Sequence, residues 1–206
     1  MPLKVYKAGD PLIWEAVLNG DQDALAVLYR SCFDRLYEYG IRFCRDRELT
    51  RDCIQDLFIK LWANRDNLAV TTAVEPYLFT ALKNLILNGL DRTMKADRRE
   101  ERAARMYTFE MHYDPAEMDA DDGDLKRKVR ISRALDQLTP RQKEGIFLRF
   151  YAGLEYADIA GIMGVSVKAA YKIIGRAMTA LREHLKDTAG YLTSLLPLLI
   201  LPAVLT

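Results

Sequence analysis

With 206 residues, half of them hydrophobic, the chain suits two small domains or one large one with real cores, and disorder throughout is excluded. Seven Pro and eleven Gly lie scattered between long Ala-, Leu-, Arg- and Glu-rich stretches with few β-branched runs, which favours helix over strand. A net charge of +1 argues by itself against a nucleic-acid partner, but it conceals a division: −2 over residues 1–75, +3 over 76–105, −7 over 106–124 and +7 over 125–189.

In chain order, the N-terminal MPLKVYKAGDPLIW holds no apolar run of signal-peptide length, so a cytoplasmic protein is expected. Cys32, Cys44 and Cys53 are odd in number and lack CxxC spacing, which points to neither a disulfide framework nor a zinc site. From Asp10 to Leu90 apolar residues recur every three or four positions, as in Leu25, Leu28, Tyr29, Phe33, Leu36, Tyr37, Tyr39 and Phe43. Three or four amphipathic helices follow, with Asp21 capping one, Thr50 the next, residues 64–72 as a loop and Pro76 opening another.

On a helical wheel of Arg51–Ala63, Ile54, Leu57, Phe58 and Leu61 form a core stripe. The opposite face carries Asp52, Gln55, Asp56 and Ala63 with Ile59 at its centre, where solvation alone would select a charge. An apolar residue ringed by acids and an amide suits a docking surface, although single exposed apolar residues are common on any protein.

Between residues 93 and 128 the apolar pattern fails, and KADRREERAAR gives way to DPAEMDADDGD. This reads as an acidic linker with a charged helix at its start, its acids serving solvation or competing with DNA for a basic surface. Helical periodicity resumes at Val129 and lasts to Leu185, about four helices.

Within that second segment Ile159, Ala160 and Met163 form the inside of a short helix that stops at Gly164, and Ser166 caps a new one. This is helix-turn-helix spacing. Val167, Ala170, Ile174, Ala177 and Leu181 make the buried stripe of the second helix. Lys168, Tyr171, Lys172, Gly175 and Thr179 point outward with Arg176 beside them. Two Lys, a Tyr and an Arg on an outward face suit a DNA major groove; an ordinary αα-hairpin in a bundle shares the same turn signals.

The order of these elements resembles the group IV, extracytoplasmic-function (ECF) sigma factors over residues 10–92 and 131–186. RDCIQDLFIKLW looks like the region-two helix that binds the polymerase clamp, and EPYLFTALKNLILNGLDR like the segment that handles the −10 element. The stretch from LDQLTPRQKEG to ALREHL is similar to region four, which reads the −35 element.

The resemblance implies an all-α fold of two small helical domains joined by a flexible acidic linker, the second a helix-turn-helix domain. It divides the chain into region two at 10–92, the linker at 93–128, region four at 129–186 and an apolar tail at 187–206. It assigns Asp52, Gln55, Asp56, Ile59, Lys60 and Trp62 to polymerase contact, Trp62 lying at the edge of the wheel's core stripe. It places Asn67, Lys83, Asn84, Asn88 and Arg92 at the −10 element, with the loop 67–72 accepting a flipped base. At the −35 element it places Ser166, Lys168, Ala169, Tyr171, Lys172 and Arg176; the family more often has small polar residues and Arg where this chain has Ala169, Ala170 and Tyr171. The implied partners are RNA polymerase core through its clamp and flap, promoter DNA, and an anti-sigma factor. No cofactor, metal, small-molecule substrate or enzymatic activity is expected.

Two other readings stay open on the residues alone: a stand-alone helix-turn-helix regulator binding paired half-sites, and a helical adaptor without a nucleic-acid role. The chain has no phosphate-binding Gly-rich loop and no HExxH. Its two His, His112 and His184, fall in the linker and near a helix end. The uncharged tail, 188–206, is interrupted by Pro197 and Pro202; a hydrophobic groove of the sigma domains or a membrane-linked regulator would suit it.

Overall fold

In the computed structural model residues 12–71, 73–93, 108–111 and 122–185 are described, and they fall into two units, Met1–Met106 and Tyr107–Thr206. Helices make up both, and no strand occurs among the described residues. The charged helix expected at the linker's start and the apolar tail lie outside the described residues.

Unit 1 begins with α1 (Leu12–Leu18), which buries Ile13, Trp14 and Val17. Asp21 then starts α2 (Gln22–Cys44) as expected: its carboxylate accepts from the Asp23 and Ala24 amides at 3.0 and 3.1 Å. The helix ends at Arg45, whose φ of 57° turns the chain sharply into α3 (Arg47–Ala63). Thr50 does not cap α3. The cap is Asp46, accepting from the Leu49 amide at 2.9 Å, while Thr50 lies fully buried inside the helix and donates to the Asp46 carbonyl at 2.6 Å.

Thr50 is buried because α2 crosses α3 closely there. A Cβ on Gly40 would come within 2.5 Å of the Thr50 methyl, so the crossing requires bare backbone. A 3-10 turn (Arg65–Asn67) and a loop lead to α4 (Val74–Thr93), with Pro76 in its first turn. Helices α2, α3 and α4 each pack on the other two, around Leu36, Tyr39, Phe43, Ile54, Leu57, Phe79, Leu82 and Ile86.

Unit 2 has a feature that its sequence pattern hides. Phe109, in the stretch where apolar periodicity fails, is fully buried with its ring 5.6 Å from that of Phe147. The adjoining Glu110 carboxylate meets the buried Lys143 ammonium at 3.1 Å. Segment 108–111 thus straps onto the helical unit.

Beyond it α5 (Asp122–Asp136) runs across the expected 128/129 boundary, and Ile131, Ala134 and Leu135 are buried. A capping box starts α6 (Pro140–Ile146): the Thr139 hydroxyl accepts from the Gln142 amide and the Gln142 side chain accepts from the Thr139 amide. The helix loosens into a π-turn, Phe147–Tyr151. Then come α7 (Tyr156–Met163) and α8 (Val167–His184), with Gly164 between them at φ 64°. Ala170, Ile174, Ala177 and Leu181 line the buried side of α8 as the sequence requires.

Candidate docking and nucleic-acid interfaces

The outward face of α3 presents Asp52, Gln55, Asp56, Ile59 and Lys60, all exposed, while Cys53, Ile54, Leu57, Phe58 and Leu61 turn inward. Ile59 keeps 57 % of its surface in water. Asp56 and Lys60, one turn apart, approach to 3.6 Å in an exposed pair. Such a pair contributes little to stability, so both charges are available to a partner. Trp62 is half-buried, with the Arg65 guanidinium 4.6 Å over its ring and donating to its carbonyl at 2.8 Å. Phe58 is core, edge-on to Tyr29 at 5.0 Å.

The second surface joins the loop before α4 to that helix. Asn67 is exposed at the end of the 3-10 turn and Val70 is exposed beyond it, while Thr72 lies outside the described residues. Trp14 of α1 holds the loop from beneath: its indole N–H donates to the Ala69 carbonyl at 3.0 Å, and its ring meets Tyr77 edge-on at 5.7 Å. Residues 55 positions apart make this contact, and no local sequence signal could have revealed it.

Asn84 and Asn88 are exposed on α4. Lys83 departs from its expected place at the −10 element. It is 7 % exposed, its ammonium 5.4 Å from the Phe43 ring centroid, because it stands one turn from both Phe79 and Ile86 and so shares their buried stripe. Arg92 lies in α4, but its side chain is outside the described set.

The third surface is the outward side of α8. Ser166 caps the helix, its hydroxyl accepting from the Ala169 amide at 3.2 Å. Lys168, Tyr171, Lys172 and Arg176 are exposed and Ala169 is half-buried. Val167, expected in the core, is 44 % exposed: as the first residue of α8 it precedes the turn that packs against α6 and α7.

Tyr171 is 56 % exposed yet stacks on Tyr156, centroids 3.7 Å apart and planes at 15°. The Arg149 guanidinium lies 5.1 Å over the Tyr156 ring, and Arg149 is itself held by the Leu154 carbonyl at 2.8 Å and the Glu155 carboxylate at 3.0 Å. Neither Tyr156 nor Arg149 stands out in the sequence as a partner of Tyr171, since their spacing from it follows no helical period.

The three cysteines are free thiols. Burial pushes the Cys32 thiol up and the Cys53 thiol to about 11, nearby carboxylates adding to the latter. No cluster of His, Cys, Asp or Glu suited to a metal occurs among the described residues, and no described helix is long and apolar enough to cross a membrane.

Comparison with known proteins follows the same division. The family model described as Sigma-70 region 2 matches residues 28–96, and that described as Sigma-70, region 4 matches residues 128–181; together they span more than half of the chain. The chain is 28% identical over 176 residues to the ECF RNA polymerase sigma factor SigK of Mycolicibacterium vanbaalenii, covering 82% of this chain and 85% of that one. It is 27% identical over 176 residues to the RNA polymerase sigma factor CarQ of Myxococcus xanthus, covering 84% and 95%. Among solved structures it is similar in fold to CnrH in complex with the cytosolic domain of CnrY, at TM-score 0.56 and 23% identity, covering 88% of this chain and 99% of that one. It is likewise similar to the sigma factor RpoE of Bartonella quintana in complex with the anti-sigma factor NepR, at TM-score 0.53 and 24% identity, covering 82% and 97%.

Proposed function

As a member of the sigma-70 family of the extracytoplasmic-function type, this chain directs promoter-specific transcription initiation with RNA polymerase, and we propose that three separate surfaces divide that task. The α3 face, Asp52, Gln55, Asp56, Ile59, Lys60 and the edge of Trp62, docks on the polymerase clamp. The loop 67–72 with Asn67, Asn84, Asn88 and Arg92 handles the −10 element. The α8 face, with Ser166, Lys168, Ala169, Tyr171, Lys172 and Arg176, reads the −35 duplex while the same unit meets the flap. The work is done in the cytoplasm.

The observation that carries this reading is Ile59, more than half exposed and surrounded by Asp52, Gln55 and Asp56. An acid-ringed apolar residue repels phosphate and offers a partner protein both burial and charge-assisted hydrogen bonds. The cations on α8 have the opposite preference and suit the phosphates that flank a major groove.

An anti-sigma factor regulates access to these faces in our reading. Its support is a fold neighbour, RpoE, solved with the anti-sigma factor NepR.

The test is in vitro transcription with core polymerase from the same organism on a genomic fragment library. Discrete start sites are expected from the wild type and lost with Asp56→Arg, which sets a cation where the carboxylate stood. Initiation unchanged by Asp56→Arg overturns the α3 assignment. A folded wild type that binds core yet starts nowhere overturns the division as a whole.

A further inference from the structure

An exposed tyrosine on a helix normally exchanges between rotamers, and fixing it on binding costs conformational entropy. Tyr171 is already fixed. Its ring lies flat against Tyr156 at 3.7 Å, and Tyr156 is anchored in turn by Arg149, which the π-turn Phe147–Tyr151 carries to the start of α7. Arg149 has two further holds, on the Leu154 carbonyl and the Glu155 carboxylate. A chain of contacts therefore runs from the π-turn through the first helix of the helix-turn-helix to an outward residue of the second.

Stacking also restricts what Tyr171 can recognise. One face of its ring is given to Tyr156, and bases inside a duplex offer no face, only edges. What remains is the ring edge and hydroxyl of Tyr171 against a base edge in the major groove, flanked by Lys168 one turn before and Lys172 beside it to hold phosphates. The base-edge feature that suits an aromatic edge is the C5-methyl of thymine.

We propose that Tyr156 is a positioning residue for promoter specificity: through the stack it aims Tyr171 at one base pair of the −35 element and sets a preference for thymine there. The proposal rests on the reading that the α8 face meets the −35 duplex, and the controls below separate the two.

Full-length chain with core polymerase is run on promoters with a fixed −10 element and a randomised −35 segment, comparing wild type, Tyr156→Leu, Tyr156→Phe, Tyr171→Ala and the double variant Tyr156→Leu/Tyr171→Ala. Tyr156→Leu keeps the apolar bulk and removes the ring. It is expected to relax the preference at one −35 position by about fivefold, the size of an aromatic pairing, and to leave the other positions unchanged. Tyr156→Phe retains the preference. The double variant matches Tyr171→Ala alone, and replacing the preferred thymine by deoxyuridine brings the wild type to the Tyr156→Leu level.

Tyr156→Leu lowering initiation equally on every −35 sequence overturns the proposal, because that is what loss of fold alone would do. A Tyr156→Leu effect of the same size in the Tyr171→Ala background overturns it too, as does indifference to deoxyuridine. A wild type with normal core binding and no −35 preference at all overturns the underlying assignment of α8 together with it.

Discussion

Ile59 on α3 and Tyr171 on α8 keep nearly equal shares of their surface in water, 57 and 56 %, and each interrupts the wet side of a helix. Their surroundings differ in sign and in rigidity. Ile59 stands among Asp52, Gln55 and Asp56 and is stiff through its own β-branching; Tyr171 stands between Lys168 and Lys172 and is stiffened by a second ring. Exposure alone does not distinguish them from Leu12 or Val70; in the proposed division it is the neighbouring charge that decides whether protein or phosphate can approach each one.

The comparison holds only if the two faces belong to independent units, and Phe109→Ala tests this most severely. Loss of a fully buried ring is expected to cost unit 2 about 3–5 kcal/mol. Denaturation followed by resolved amide signals should show the unit 2 transition moving to lower denaturant with unit 1 in place; both moving together would break the comparison.

Next in size are paired surface changes. Lys168→Glu sets like charge against phosphate and is expected to reduce −35-dependent initiation by about 30-fold, roughly 2 kcal/mol, with core binding unchanged. Ile59→Ala should do the reverse, lowering core affinity by about tenfold while −35 preference survives. If either change produced the other's phenotype, charge would not be what separates the faces.

The finest probe uses the thiols, since Cys32, Cys44 and Cys53 all lie in unit 1 and unit 2 has none. With the Cys53 thiol raised to about 11, about one molecule in a thousand is thiolate at pH 8, so native alkylation is slow there and rises about tenfold per pH unit toward 10. Unfolding returns the thiol to its ordinary 9.0. Above that pH the unfolded chain sheds a proton the folded one keeps, so this stability is whole below pH 9 and lost as pH rises toward 11. Unit 1 alone should show that loss.

What the sequence disclosed was local. Asp21, Gly164 and Ser166 act on amides or dihedrals within a few positions of themselves, and each does what its residue type and spacing imply. The stripes on α3 and α8 follow from periodicity, except at Val167, which stays exposed at the start of α8. Thr50 reads as a cap until Gly40 brings another helix against it. Lys83 reads as a DNA ligand until its place between Phe79 and Ile86 is weighed against its charge. Phe109 has no periodic apolar neighbours and becomes core only because Phe147, far along the chain, receives it. The Tyr156–Tyr171 stack was hidden for the same reason: it is set by how α7 crosses α8.

The docked segment 108–111 also sets where a fragment of unit 2 can begin. Phe109 fills the core against Phe147, and the Glu110 carboxylate meets the buried Lys143 ammonium. A fragment begun at Asp122 loses that ring and takes this carboxylate from Lys143, whereas one begun at or before Thr108 keeps both. The smallest fragment that preserves this core therefore starts well before residue 128, where the family match begins.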